Sequence, residues 1–159
     1  MNKVGQQERL TQNRVVRLFK DELNYTYLGN WEDRPNNSNI EEEFLTNYLT
    51  KKGYSPTHIA KALYEIRVTA NNYNESLYTN NKNVYKLLRY GVQVKAEAGE
   101  NFETVHLIDW QHPEKNDFAI AEEVTIQGNR EKRPDIVLYV NGIALGVLEL
   151  KRSTVSIGD

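Results

Sequence analysis

The sequence predicts an α+β fold, in which helices come first along the chain and flank a mixed sheet of about five strands that follows. Apolar residues recur at helical spacing in residues 1–91, which indicates helices with one buried face. From Val92 onward the apolar residues form short runs of strand length between turn signals. The last two runs surround Asn141-Gly142, the strongest short signal for a β-hairpin. Helices that precede a strand meander are typical of α+β packing.

Length and composition fit one domain, with a helical part at 1–91 and a sheet and catalytic part at 92–159. Of the 159 residues, 39% are hydrophobic, which is enough for a core. The absence of cysteine excludes a disulfide framework and a thiolate zinc site. No apolar run is long enough to span a membrane, and the first residues lack the core of a signal peptide. We therefore expect an intracellular protein with no membrane partner.

The charge of the chain is unfavourable for a protein that binds DNA on its own. The net charge is −2 and the isoelectric point is about 6.0, whereas phosphate neutralisation by cations normally supplies most non-specific affinity. If DNA is the substrate, we expect another part of a larger enzyme to hold it. The residues from Ser153 to Asp159 follow the last strand without a closing element, so we also expect a truncated domain.

Four helices are predicted in the first part of the chain. The first, from Gln6 to Glu22, is amphipathic. A capping box at Ser38 to Glu41 opens the second, and Ser55-Pro56 starts a third that runs toward Asn71. The fourth spans about Val84 to Tyr90 and ends before a glycine.

A basic strip accompanies the fourth helix. It consists of Lys82, Lys86, Arg89 and Lys95. Such a strip could contact phosphate, although cations in a row more often form a solvated face. The sequence leaves both interpretations open.

The strands follow from the apolar runs and from the turn residues between them. A short strand is predicted at Tyr25 to Leu28, and the remaining candidates lie in the second half. These candidates are Val92–Lys95, Thr104–Asp109, Phe118–Ala121 continuing to Val124–Ile126, and the two hairpin strands around Asn141-Gly142. The strands of the second half together give the sheet of about five.

Three charged residues interrupt the hairpin pattern where its two strands begin and end. Asp135 opens the first strand, while Glu149 and Lys151 close the second. Two carboxylates on neighbouring strands make an oxygen site of the kind that Mg²⁺ prefers. The lysine, two residues beyond Glu149 and so on the same face, can stabilise charge that grows on an attacked phosphate. The trio therefore indicates phosphodiester hydrolysis, against the simpler interpretation of a solvated hairpin end with a surface ion pair.

The register of the hairpin decides whether this site can form. With a two-residue loop and no irregularity, Asp135 would pair with Leu148 and face away from Glu149. We therefore predict a one-residue offset, either a bulge near Gly146 or a three-residue loop, because an extra residue returns both acids to one face.

The pattern Pro134-Asp135 followed by Glu149-Leu150-Lys151 resembles the PD-(D/E)xK nucleases, whose core is the restriction-endonuclease-like fold. In such nucleases an acid from an early helix often joins the metal site, which makes Glu8 a possible accessory residue. The alternative for Glu8 is a glutamate placed favourably near the start of a helix dipole.

Nearly the whole chain resembles the N-terminal part of the restriction (R) subunit of type I restriction-modification enzymes. The segments that carry this resemblance are Thr11–Val15, Tyr25–Gly29, Leu107–Trp110, Asn116–Phe118 and Arg133–Lys151 with its internal Asn-Gly. The resemblance implies a cytoplasmic bacterial or archaeal endonuclease that cuts double-stranded DNA with Mg²⁺, for which Mn²⁺ can substitute. It also implies modification and specificity subunits as partners. By position, Asp135 and Glu149 would bind metal, the backbone carbonyl of Leu150 would add a ligand, and Lys151 would be catalytic.

Two features of the family are missing from the sequence. The helix after the Glu-x-Lys strand, with its glutamine and tyrosine, is not reached, and no phosphate-binding loop for ATP is present, so ATP use would belong to a translocase part outside this sequence. We therefore expect the isolated chain to cut DNA weakly or not at all. Two alternatives remain: a non-catalytic module that docks to DNA or to partner subunits, and a stand-alone PD-(D/E)xK nuclease.

Overall fold

The computed structural model of the protein describes residues 3–126 and 132–150, with side chains from Glu8 onward. The chain forms two compact units: one contains the residues up to Asn39 and those from Asp117 onward, and the other is Ile40–Asn116. The predicted α+β class with a mixed sheet is confirmed. The single domain divided near residue 91 stays a prediction.

Four helices and six strands make up the described chain. In chain order they are α1 (Lys3–Arg17), β1 (Thr26–Asn30), α2 (Glu42–Lys51), α3 (Pro56–Ala70), α4 (Leu77–Tyr90), β2 (Val92–Val94), β3 (Glu103–Val105), β4 (Phe118–Glu122), β5 (Ile136–Val140) and β6 (Ile143–Leu148). Helix α1 continues into a π-helical turn at Leu18–Glu22, and a short 3₁₀ helix lies at Pro113–Lys115. None of the helices in the described residues is long and apolar enough to cross a membrane.

The first unit is built on a four-stranded sheet in the order β1-β4-β5-β6. Strand β1 runs parallel to β4, and the other neighbours are antiparallel. The prediction that β2 and β3 join this sheet is wrong, because among the described residues these two strands form a separate two-stranded sheet in the second unit. Their apolar runs indicate strands, but the choice of a partner depends on contacts that local sequence does not encode.

Both faces of the sheet are covered in the first unit. On one face, Val16 of α1 packs against Ile120 and Ile136. On the other, Trp31 packs against Val137 and Tyr139, with the rings of Trp31 and Tyr139 centred 5.6 Å apart. A strand that is covered on both sides must be apolar at successive positions, which explains the continuous run at β5.

Two helix starts differ from the sequence prediction. The prediction of a capping box at Ser38 to Glu41 is wrong. Helix α2 begins at Glu42, and its N-cap residue, Glu41, makes no side-chain capping bond. Helix α4 begins at Leu77, earlier than predicted, because the Ser76 side chain accepts a hydrogen bond from the N–H of Thr79. The predicted cap of α3 is confirmed, since Ser55 accepts from the N–H of His58.

The second unit contains α2, α3, α4 and the β2-β3 ribbon. Its most deeply buried apolar side chains come from α2, α3, the ribbon and the loop after β3. They are Leu45, Tyr48, Leu49, Ile59, Ala62, Ile66, Val92, Val94, Val105, Leu107 and Ile108. Helix α4 buries Leu88, whereas Tyr78 and Tyr85 on the same helix are exposed to solvent.

Candidate functional site

The turn of the β5-β6 hairpin is fixed by Asn141 and Gly142. Their φ angles are 52° and 84°, the left-handed values that a two-residue turn of this type requires. The Asn141 side chain is fully buried and its Oδ1 accepts a hydrogen bond of 2.7 Å from the N–H of Asp117. In return, the N–H of Asn141 donates to the carbonyl of Asp117 at 2.8 Å. The turn is thereby attached to the start of β4.

We expect the substitution Asn141→Ala to destabilise the protein more than Asn36→Ala. Both asparagines have positive φ, 52° and 59°, but the Asn36 side chain is exposed. The change at Asn36 therefore reports the backbone cost alone, about 1–2 kcal/mol, and Asn141 adds about 1–3 kcal/mol for the lost buried bond. Urea unfolding of the two variants measures the difference. Equal losses of unfolding free energy would show that the Asn141 side chain does not hold the turn.

The predicted offset in the hairpin is confirmed as a bulge next to Gly146. Leu138 pairs with Gly146, whereas the next residue, Tyr139, pairs with Ala144, so Leu145 is the extra residue. At the open end Ile136 pairs with Leu148. Continued by one residue, the same register would set Asp135 opposite Glu149, and residues opposite each other lie on one face. The bulge is thus the kind of offset that the predicted site requires.

Leu138 packs closely against Gly146 beside the bulge. A Cβ at Gly146 would lie 3.1 Å from Cδ1 of Leu138, closer than side-chain carbons normally approach. Leu138 in turn packs on the face that α1 covers. A larger residue at Gly146 would therefore displace Leu138 by a few tenths of an ångström.

Asp135 is anchored through both its side chain and its backbone. Its Oδ2 accepts a hydrogen bond of 2.5 Å from the N–H of Leu150. Its carbonyl accepts from the N–H of Glu123 at 3.0 Å and from Nε2 of Gln12 at 3.4 Å. The carboxylate is thus oriented toward the end of β6, where Leu150 and Glu149 lie.

The other predicted site residues are placed less fully. Glu149 is exposed beside the end of β6, Glu8 is exposed on α1 one turn before Gln12, and Lys151 lies outside the described residues. Among residues 3–126 and 132–150, no group of three or more histidine and acidic side chains is arranged to hold a metal ion. Two carboxylates, Asp135 and Glu149, are nevertheless a donor set that Mg²⁺ accepts when water and phosphate oxygens complete its shell.

A buried carboxylate that the sequence did not single out lies on the neighbouring strand. Glu122 at the end of β4 is only 4% exposed. Its Oε1 accepts from Nε2 of Gln12 at 2.9 Å, and its Oε2 accepts from the Tyr27 hydroxyl at 2.5 Å. The guanidinium of Arg9 lies 3.7 Å from Oε1. Partial burial and the hydrogen bond to Glu122 raise the pKa of Tyr27 to about 12.

Glu123 continues this acidic group toward Asp135. It has a φ of 50°, which ends β4, and its Oε1 accepts from Nε2 of Gln12 at 3.1 Å. The Nε of Arg133 lies 3.1 Å from its other oxygen. Gln12 therefore contacts Glu122, Glu123 and the Asp135 carbonyl at once. A signal was available in the sequence, since Glu122 and Glu123 end an apolar run as Asp135 begins one.

Comparison with known proteins assigns the chain to a family. Residues 5–159 match the family described as the type I restriction enzyme R protein N terminus. The chain is similar to the type I restriction enzyme HindI endonuclease subunit of Haemophilus influenzae, at 39% identity over 79 residues, or 47% of this chain and 8% of the relative. It is also similar to the putative type I restriction enzyme MjaIXP endonuclease subunit of Methanocaldococcus jannaschii, at 26% identity over 154 residues, or 89% of this chain and 15% of the relative.

The chain matches only one region of its much longer relatives. It spans a small part of their length, 15% in the longer match and 8% in the shorter one. No solved structure matches the chain. The matched family is the one that the sequence resembles, and the match covers nearly the entire chain. The chain therefore belongs to the family of N-terminal regions of type I restriction enzyme R proteins.

Proposed function

We propose that this chain is a Mg²⁺-dependent endonuclease domain that hydrolyses phosphodiesters of double-stranded DNA as part of a type I restriction enzyme. The observation that carries the proposal is the bulge at Leu145, because a register continued past Ile136 and Leu148 would set Asp135 opposite Glu149. The family, whose relatives are named as endonuclease subunits, supports the same reaction. A hairpin end that served only as a scaffold would not need its two acids on one face.

In this proposal each residue of the PD-(D/E)xK pattern has a separate role. Asp135 and Glu149 would hold the metal, and the N–H of Leu150 orients the Asp135 carboxylate at 2.5 Å. The backbone carbonyl of Leu150 would add a further oxygen. The ammonium of Lys151 would stabilise the charge that grows on the attacked phosphate. When bound, the metal supplies Lewis acidity to the phosphate and its attacking water.

The partners in this proposal come from the enzyme class. Modification and specificity subunits would supply DNA recognition, which agrees with a net charge of −2 on this chain. ATP would be used in a translocase part that the present sequence does not include. Glu8 would serve as an accessory acid, since it lies one turn before Gln12 on α1.

The test is a calorimetric titration of the chain with Mn²⁺, beside the variants Asp135→Ala and Glu149→Ala. We expect the wild type to bind Mn²⁺ and the affinity of each variant to fall by about 100-fold or more. Residues that only support metal ligands already contribute about 10–100-fold, and a ligand should contribute at least as much. Asp33→Ala, which removes an exposed acid outside the site, is the matched control. Circular dichroism verifies that all four proteins are folded. Binding that is unchanged in both site variants would refute the shared carboxylate site.

A further inference from the structure

The exposed face of α4 carries aromatic and cationic side chains in alternation. Tyr78, Lys82, Tyr85 and Arg89 are spaced by four, three and four residues, so they lie within an arc of about 60° on the helix and extend about 16 Å along it. We call these four residues the α4 stripe. Tyr78 is 76% exposed and Tyr85 is 57% exposed. Two large rings in solvent are not explained by the packing of α4.

The stripe is also locally cationic in a chain whose net charge is −2. Helix α4 contains Lys82, Lys86 and Arg89 but no acidic residue. Within the described part of the chain, no acidic side chain forms an ion pair with these three cations. Elsewhere in the same unit such pairs do form: Lys52 contacts Asp109 at 2.7 Å, for example. The positive charge of α4 is therefore available to an anion.

Trp110 extends the stripe at its C-terminal end. The indole is 46% exposed, and the guanidinium of Arg89 lies 5.4 Å from its ring centre. Its Nε1–H donates to the carbonyl of Leu88 at 2.7 Å, which fixes the ring against α4. Three aromatic rings and the cations between them thus form one continuous surface within the second unit.

The chemistry of this surface fits single-stranded nucleic acid. Interleaved rings and cations bind an unpaired strand because each ring stacks on the face of a base while the cations neutralise phosphates. In a duplex the base faces are already stacked, and only base edges and phosphates are accessible.

We propose that the α4 stripe and Trp110 bind an unpaired DNA strand, with bases stacked on Tyr78, Tyr85 and Trp110 and phosphates neutralised by Lys82, Lys86 and Arg89. The proposal rests on the proposed function only in taking DNA as the substrate. Lys95, predicted to belong to a basic strip, is not included, since its ammonium lies 4.5 Å from the ring centre of Phe102.

The test measures binding of oligothymidylate to the chain by quenching of tryptophan fluorescence, in EDTA so that the metal site plays no part. Trp31 is buried, so quenching should come from Trp110 and should disappear in Trp110→Phe. Each of Tyr78→Ala and Tyr85→Ala should weaken binding by about tenfold, whereas Tyr→Phe at both positions should preserve it, because the stacking ring remains. The pair Lys82→Gln and Lys86→Gln should reduce the salt slope of log K by about 1.4.

Two controls make the result specific. Tyr64 on α3 is 58% exposed and lies beside Arg67, so Tyr64→Ala removes the same kind of ring from a different helix and should leave binding unchanged. A duplex of the same length should bind more weakly than the single strand. Absence of binding, equal binding of the duplex, or an unchanged affinity in the Tyr78→Ala and Tyr85→Ala variants would overturn the proposal. None of these results bears on the carboxylate site, because that site is tested by metal binding.

Discussion

Replacement of Asp135 by asparagine is expected to lower DNA cleavage by the assembled restriction enzyme by more than about 100-fold, the upper end of what residues supporting metal ligands contribute. The amide has the same shape, and its oxygen can still accept the hydrogen bond that Leu150 donates to Asp135 at 2.5 Å. The fold should therefore survive while the negative charge is lost. In the proposed site a hard divalent cation would be bound by that charge, so the variant should bind the metal poorly and cut DNA slowly.

The measurement is cleavage of a DNA substrate by complexes that contain wild-type or variant protein, with assembly verified by gel filtration. Asp33→Asn makes the same chemical change at an exposed acid in the first unit and should cut at the wild-type rate. Assembly and DNA binding should be equal in all complexes. A variant that cuts within a few fold of wild type would show that Asp135 does not take part in the reaction, and the non-catalytic docking module would become the better explanation.

Removal of the Gln12 amide is expected to lower the stability of the fold, because this side chain holds the acids at the end of β4. Its Nε2 donates to Glu122 at 2.9 Å and to Glu123 at 3.1 Å. Glu122 is 4% exposed, so a donor lost to Gln12→Ala is not readily replaced by water. A buried acceptor that loses its partner costs about 1–3 kcal/mol, and more if it is charged, so we expect Gln12→Ala to lower the unfolding free energy by about 2–3 kcal/mol.

The matched control is Asn13→Ala, since Asn13 is the exposed neighbour of Gln12 on α1. Its change in unfolding free energy should stay within about 0.5 kcal/mol. Denaturant unfolding should show a lower midpoint for Gln12→Ala with an unchanged slope, which identifies a loss of stability and not a change in the unfolded chain. If the two variants unfold at the same midpoint, the amide is not what stabilises the buried carboxylate.

Both the turn and the bulge of the β5-β6 hairpin follow from local sequence. The turn follows from Asn141-Gly142, whose φ angles of 52° and 84° few other residue pairs adopt without strain. The bulge was predicted from charge, because an unbroken register would have separated Asp135 from Glu149. Period-two alternation turns a difference of one residue into a change of face, so a functional requirement was enough to predict the backbone irregularity.

The helices were predicted to different degrees, for a related reason. The cap at Ser55 is contained in a few consecutive residues and is present in the structure. The apolar pattern of the predicted first helix is buried only in part, since Val16 is buried whereas Leu10 and Leu18 are exposed. The start of α4 was placed too late because its asparagine-rich first turns have no apolar period. The cap at Ser76 determines that start. Where apolar spacing and capping disagree, the hydrogen bond at the cap sets the boundary.

The sequence by itself thus determined the class of fold, the hairpin with its one-residue offset, and the family to which the chain belongs. Only the tertiary structure decided that β1 lies parallel to β4, that β2 and β3 form a separate ribbon, and that Gln12 meets Glu122 from 110 positions away. Turns, caps and hairpin register depend on residues that are close together in the chain, so they can be predicted from the sequence. Strand partners and buried polar contacts join distant residues, so they are fixed only when the whole chain packs.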